Sequence, residues 1–178
     1  MRKEILFILL CLFIIQANAQ IAVVKMIGKN TSNYSLGYGA FLKGAYPVSA
    51  GDDITLEAGC YIFSLNDQGY GDGTALVPLK LGYRYTFNRQ GDGFYVEPQA
   101  GYNLYGITSL NNDGYTTQNL KFNGVIFAAS TGYIFSIKSF PLDLNLHYET
   151  IMDKGGSDNF IRLGLLVSLH FKRRPDNY

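Results

Sequence analysis

Apolar and polar residues take turns along most of this chain. Over about 33–171 the dominant period is two, which predicts β-strands with one apolar and one polar face. In 34–48 the apolar parity holds Tyr34, Leu36, Tyr38, Ala40, Leu42, Tyr46 and Val48, and the other holds Ser35, Gly37, Gly39, Phe41, Lys43 and Ala45. In 74–87, Val77, Leu79, Leu81, Tyr83, Tyr85 and Phe87 oppose Thr74, Lys80, Gly82, Arg84 and Thr86. In 142–152, Leu142, Leu144, Leu146 and Tyr148 oppose Asp143, Asn145, His147 and Glu149. In 160–171, Ile161, Leu163, Leu165, Val167, Leu169 and Phe171 oppose Arg162, Gly164, Ser168 and His170. Segments 53–65, 94–107 and 120–137 alternate less cleanly, yet Ile54, Leu56 and Ile62, then Phe94, Val96, Tyr102 and Leu104, then Val125, Phe127, Tyr133 and Phe135 each share a face. None of these carries the i, i+3, i+4, i+7 stripe of a helix. Seven strands follow, with an eighth at 21–28.

The connections differ at the two ends. Short ones fall around 49–52, 88–93 and 138–141; longer or more polar ones are expected at 29–33, 66–73, 109–119 and 153–159. Short turns at one end and polar loops at the other are the layout of an up-and-down membrane barrel, and an even strand count puts both termini on one side.

Alternation does not say which face looks inward. A soluble barrel or a β-sandwich would hide the apolar face, whereas a membrane barrel turns it out to lipid. Three features favour the second. The interior of an eight-stranded barrel barely accommodates side chains, and the apolar face carries most of the Tyr, Phe and Leu. Gly37, Gly39, Gly59, Gly82, Gly101, Gly124, Gly132 and Gly164 all take the polar parity, as a crowded concave side requires, against only Gly44 and Gly106 on the apolar one. Aromatics such as Tyr34, Tyr46, Tyr85, Phe87, Phe94, Phe135 and Phe171 sit near strand ends on the apolar face, the pattern of interfacial girdles. Leu36, Leu42, Leu79, Leu81, Tyr83, Leu144, Leu146, Leu163, Leu165 and Val167 are therefore expected to face lipid.

On this reading the interior is a packed polar core. Lys43, Lys80, Arg84 and Arg162 face Glu57, Glu97, Asp143 and Glu149, joined by Gln99, Asn103, Asn145 and His147. Equal numbers predict a cross-barrel network that plugs the lumen, because a buried charge is tolerated when paired and hydrogen-bonded. A narrow permeation path or a ligand site is the alternative use of the same residues.

Composition fits this picture. The chain has 178 residues, 16% of them charged, with 14 Tyr, 12 Phe, 20 Gly and no Trp. Soluble domains average about 25% charged residues. The formal net charge of +1 offers nucleic acid no basic footprint. The longest apolar run, 5–15, is too short for a membrane-spanning helix, which needs about 20 residues. Residues 1–19 read instead as an export leader: Arg2 and Lys3, then the apolar run, then Ala17-Asn18-Ala19 as a small-x-small cleavage site. Cys11 follows Leu10 inside that run, where lipid attachment would require a small residue. Cleavage leaves a barrel over 20–171, a polar periplasmic tail over 172–178, and Cys60 without an internal disulfide partner.

Candidate chemistry is sparse. His147 and Glu149 alternate on one strand face, and Ser157 follows in the next connection. Lipid A deacylase barrels use a His-x-Ser strand motif, since acyl transfer needs a nucleophile beside its base. Here Glu149 stands in the serine position, so no enzyme is expected. His147 and His170 lie on different strands and no phosphate-binding loop is present, so neither a metal nor a cofactor is expected.

The segment Thr74-Ala75-Leu76-Val77-Pro78-Leu79-Lys80-Leu81-Gly82-Tyr83-Arg84-Tyr85 resembles the Ile-Pro-Leu-x-x-Lys-Tyr strand of small OmpA/OmpX-like outer-membrane barrels. A short turn and a Tyr-x-x-x-x-Ala-Gly-Tyr-like strand, Tyr95 to Tyr102, follow. The last strand, ending Leu169-His170-Phe171, is similar to the C-terminal signal read by barrel-assembly machinery, although Lys172 to Tyr178 continue beyond it and its glycine is displaced to Gly164. The resemblance implies an eight-stranded antiparallel barrel in the Gram-negative outer membrane, with roles from envelope integrity and adhesion to small-solute passage. The expected partners are outer-membrane lipid, the assembly machinery during biogenesis, and an extracellular partner met through the loops, chiefly 109–119; the barrel is expected to be a monomer. A transport or binding barrel for a small solute or an apolar ligand stands as the alternative, and a lipid-modifying enzyme as a third.

Overall fold

A period-two strand settles its two faces but leaves rows of backbone N–H and C=O groups along both edges, and closing the sheet on itself pairs them all. The structure, a computed structural model, describes residues 18–28, 35–64, 73–112, 116–121, 123–137, 140–154 and 156–167. Its strands are β1 (Asn18–Ile27), β2 (Gly37–Ser49), β3 (Asp52–Ser64), β4 (Gly73–Thr86), β5 (Gly93–Asn112), β6 (Thr116–Lys121), β7 (Val125–Ile137), β8 (Phe140–Asp153) and β9 (Gly156–Val167). Neighbours pair antiparallel in the order β4-β3-β2-β1-β9-β8-β7-β5-β6, and β4–β5 pairing closes the ring. Both β6 and β7 pair with β5, β6 along Ile107–Asn112 and β7 along Gly93–Tyr102. They are two lengths of one stave, so nine segments build an eight-stranded closed antiparallel barrel.

The ring closes with a stagger. A row of paired residues leaving Asn18 passes Lys43, Glu57, Lys80, Gly101, Ile126, Ile151 and Asp158. It regains β1 at Gly28, one step past the Ile27–Asn159 pair and ten residues from its start. Such a shear tilts the staves by roughly 35–45° to the barrel axis.

The first strand, expected over 21–28, runs from Asn18, so it includes the last two residues of the expected leader. Residues 1–17, most of that leader, lie outside the described residues, as do 29–34, 65–72, Tyr34 and the end of the chain from 168, including Leu169-His170-Phe171 and the tail. Two expected loops are corrected. Within 109–119, β5 continues to Asn112 and β6 begins at Thr116, pairing Leu110 with Gln118 and Asn111 with Thr117. Within 153–159, β8 pairs with β9 as far as Asp153–Gly156, where Gly156 has φ +148°. Polar composition marks exposure; it does not prevent backbone pairing, and threonine favours strands.

The glycines of the polar parity are where the wall is approached most closely. The ring of Phe41 lies across Gly39 and Gly59, where a Cβ would come within 2.6 and 2.1 Å of it. At Gly101 the obstacle is backbone: a Cβ would sit 2.1 Å from the Leu79 carbonyl oxygen, which no side-chain rotation relieves. Gly101→Ala is therefore expected to destabilise the barrel by about 1–3 kcal/mol. Urea unfolding of the detergent-folded protein reads this as a lower midpoint, and an unchanged midpoint would show slack in the β4–β5 ladder.

Candidate functional site

The interior is built from the residues that alternate with the outer belt. Lys43, Glu57, Lys80, Arg84, Glu97, Asp143, His147, Glu149 and Arg162 are all buried, on β2, β3, β4, β5, β8 and β9. Their contacts form one connected system. Arg162 grips Glu57 with both terminal nitrogens, at 2.7 and 3.0 Å. Lys80 Nζ lies 2.9 Å from Glu57 and 2.7 Å from Glu149. Lys43 Nζ is 2.7 Å from Glu97 and 3.8 Å from Glu57, and Arg84 joins Glu97 at 2.8 Å to Asp143 at 3.1 Å. His147 Nε2 sits 3.0 Å from Glu149 and 3.2 Å from Lys80 Nζ. Several bonds join strands that are not neighbours, as from β9 to β3 and from β4 to β8.

Hydroxyls and amides complete the shell. Tyr61 donates to Glu149 at 2.8 Å, Tyr95 to Asp143 at 2.7 Å and Thr55 to Glu97 at 2.7 Å. Gln99 also donates to Glu97, and Gln20 to Asn145 at 2.9 Å. Asn103 is buried as well. A pattern of single charges in the sequence carried no information about which cation meets which carboxylate, because that depends on the register.

The expectation of a wholly polar interior is corrected. Toward the end of the barrel carrying the longer connections, Val24, Phe41, Tyr61, Phe63, Leu76, Ile126, Ile151 and Phe160 form a buried apolar cluster. Its rings pack on one another, Phe41 edge-on to Tyr61 at 4.9 Å and Tyr61 stacked on Phe160 at 6.3 Å. The charged network lies beneath it, toward the short turns. The two layers meet through cations over rings, with the Arg162 guanidinium 4.2 Å above Phe41 and Lys80 Nζ 5.9 Å from the Tyr61 centroid. Arg84 covers Tyr95 in the same way at 4.1 Å. Phe41 shares its parity with Lys43, Tyr61 with Glu57, and Tyr95 with Glu97, so parity was the signal that could have placed these rings inside. Asp53 is a further buried carboxylate, omitted from the count of four acids against four bases.

The outer wall has the opposite character. Leu36, Leu42, Leu79, Leu81, Tyr83, Leu144, Leu146, Leu163, Leu165 and Val167 are exposed, together with Ile21, Tyr38, Ile62, Phe127 and Tyr133. Near the short turns, Tyr85, Phe87 and Phe94 pack as a ring cluster, with centroids 5.2 and 5.5 Å apart. Ser157 is not brought to His147: it opposes Met152, whereas His147 opposes Arg162. Among the described residues no three His, Cys, Asp or Glu side chains are grouped to hold a metal, and His170 lies outside them.

No protein-family model matches the sequence, and no curated protein matches it. Solved structures do match in fold. Ail, the attachment invasion locus protein of Yersinia pestis, superposes with a TM-score of 0.62 at 12% identity, covering 86% of this chain and 98% of that one. Neisserial surface protein A gives 0.56 at 13% identity, covering 86% and 96%. The N-terminal β-barrel domain of Pseudomonas aeruginosa OprF gives 0.54 at 16%, covering 86% and 98%. The fold is that of the small OmpA/OmpX-like barrels.

Glu57 is the node of the network, touching Arg162, Lys80 and Lys43. Glu57→Gln leaves three cations short of charge in a buried site, and the expected cost is about 3–5 kcal/mol. Equilibrium unfolding in guanidinium measures it; a loss below about 1 kcal/mol would place these cations in a solvent-like setting.

Proposed function

We propose that this chain is an integral barrel of the Gram-negative outer membrane, with a structural or surface-interaction role. The observation that carries the reading is the inverted polarity: a belt of exposed Leu, Ile, Tyr and Phe outside, and ionised side chains bonded to one another inside. In water such a belt would be an aggregation surface; in a bilayer it is solvated by acyl chains, and closure leaves no open backbone in the hydrocarbon. Leu36, Leu42, Leu79, Leu81, Tyr83, Leu144, Leu146, Leu163, Leu165 and Val167 are its lipid contacts, with the Tyr85, Phe87 and Phe94 cluster at the periplasmic interface. Residues 1–19 direct export and are cleaved after Ala19, the assembly machinery inserts the chain, and the product is a monomer with residues 172–178 in the periplasm.

The lumen is closed, not conducting. Two successive fillings support this: the aromatic layer around Tyr61, then the ion-pair network around Glu57. His147 is met by Glu149 and Lys80 and not by a serine, which supports a non-catalytic role. Specific partners are met at the cell surface through the paired segment formed by β5 and β6.

Three experiments test this reading. In membrane fractions the protein is expected to need detergent for release and to migrate differently with and without boiling. In planar bilayers the purified barrel should give no stable conductance, and a reproducible open level would overturn the closed lumen. Deleting residues 110–118 should abolish a surface-interaction phenotype while the heat-dependent mobility shift persists; retained interaction would point to the barrel wall or lumen instead.

A further inference from the structure

The apolar belt gives way to a polar patch on one side of the ring. On β9 the outward positions run Val167, Leu165, Leu163 and Ile161, then turn polar at Asn159 and Ser157. On β8, Leu142, Leu144, Leu146 and Tyr148 are followed by Thr150, and on β1 Ile21 and Val23 are followed by Lys25. The ladders set these changes side by side. Ile27, Asn159 and Thr150 lie in one row, and Lys25, Ile161 and Tyr148 in the next. Lys25 is exposed, and so is Lys154, which follows β8 into its turn beyond Met152. Asn159 is held in place, because the Tyr148 and Thr150 hydroxyls both donate to its Oδ1, at 3.1 and 2.7 Å. That directs the N–H donors of the amide away from β8. The carboxylates of these three staves, Asp143, Glu149, Asp153 and Asp158, all take the inward parity. The described outward positions of β2, β4, β5 and β7 carry no charge.

Resting on the membrane reading above, we propose that this patch binds the phosphate of a lipid in the outer leaflet. Its level is right for a headgroup. From Val167 to Asn159 is eight residues of tilted strand, about 20 Å of height, close to the apolar band of about 25 Å. The Tyr85, Phe87 and Phe94 cluster marks the opposite interface, so the patch stands on the side of the longer connections. Its charge is right for an anion, since two lysines meet no outward acid on the three staves. An ammonium and an amide N–H both donate to phosphate oxygens, and a lysine at this depth reaches the headgroup along its own methylenes. Ile161, Leu163 and Leu146 lie directly below and receive the acyl chains of the same molecule. A soluble anion has no counterpart to that second contact.

Native mass spectrometry of the detergent-folded barrel is the test, with mobility on unboiled gels as the check of folding. In neutral micelles it is titrated with lipid A and with lipid A stripped of its phosphates. The parent is expected to hold one phosphorylated lipid, at least tenfold more tightly than the stripped form. Lys25→Gln and Lys154→Gln should each weaken that binding about fivefold, the effect of one lysine at an anionic surface. Asn159→Leu should weaken it similarly and leave binding of the stripped lipid unchanged. Arg89→Gln, which removes a cation from the turn at the other end, should change neither. Equal affinity for the two lipids would overturn the site, as would an equal loss in Arg89→Gln. Inorganic phosphate retained as well as lipid A would make the patch a site for a soluble anion and overturn the lipid assignment. A parent that needs detergent yet does not distinguish the lipids refutes the patch alone. A parent that stays in buffer without detergent refutes the membrane reading and the patch with it.

Discussion

Glu57 is shared by three cations from three other strands, and that sharing sets the terms for the rest of the interior. A carboxylate removed from water costs several kcal/mol unless its partners are close and well aimed. Arg162 supplies the aim through a two-pronged grip, and Lys80 hands the arrangement on to Glu149 across the lumen. Each cation is itself held by a second carboxylate or an aromatic face, so no charge is satisfied by a single contact. An arrangement of this kind tolerates little movement of one stave against the next. The ladders must hold β3 and β9 at the register that brings Glu57 and Arg162 together, although those strands are not neighbours in the sheet.

Above that network the barrel changes solvent. Phe41, Tyr61, Phe63 and Phe160 fill the half near the longer connections with rings, and the boundary between rings and ions is itself an interaction. A guanidinium over an aromatic face gains electrostatic attraction where no water competes, and Arg162 over Phe41 and Arg84 over Tyr95 both have this geometry. Tyr61 belongs to both regions, its ring stacked in the apolar cluster and its hydroxyl donating to Glu149. Glycines make room for this on the wall side: without Gly39 and Gly59 the Phe41 ring would have nowhere to lie.

Much of the fold was legible in the sequence because a strand's period is fixed by geometry, and glycine segregated onto one parity told which side was crowded. The inward charges could be identified from the same parity. Their pairing could not, since Arg162 meeting Glu57 is a property of the ring's stagger and not of any local spacing. The aromatic layer was missed for a different reason. Phe41, Tyr61 and Phe63 stand on the polar parity, but aromatic rings favour strands on either face, and an alternation scored by hydrophobicity treats them as noise. The paired segment at β5 and β6 was hidden because its residues, such as Thr116, Thr117 and Asn119, have the composition of a loop while their backbones satisfy one another.

The union of β1 with β9 has a kinetic meaning. Ile21 pairs with Leu165, so the first and last staves of the ring meet only when everything between them has been made, and until then both present naked edges and greasy faces. Entropy opposes bringing such distant segments together, and topologies dominated by remote contacts fold slowly. A partly synthesised chain has no stable halfway house in water, only exposed strands prone to clumping. Closing the ring is therefore the step that joins the two most remote staves, and it can come only last.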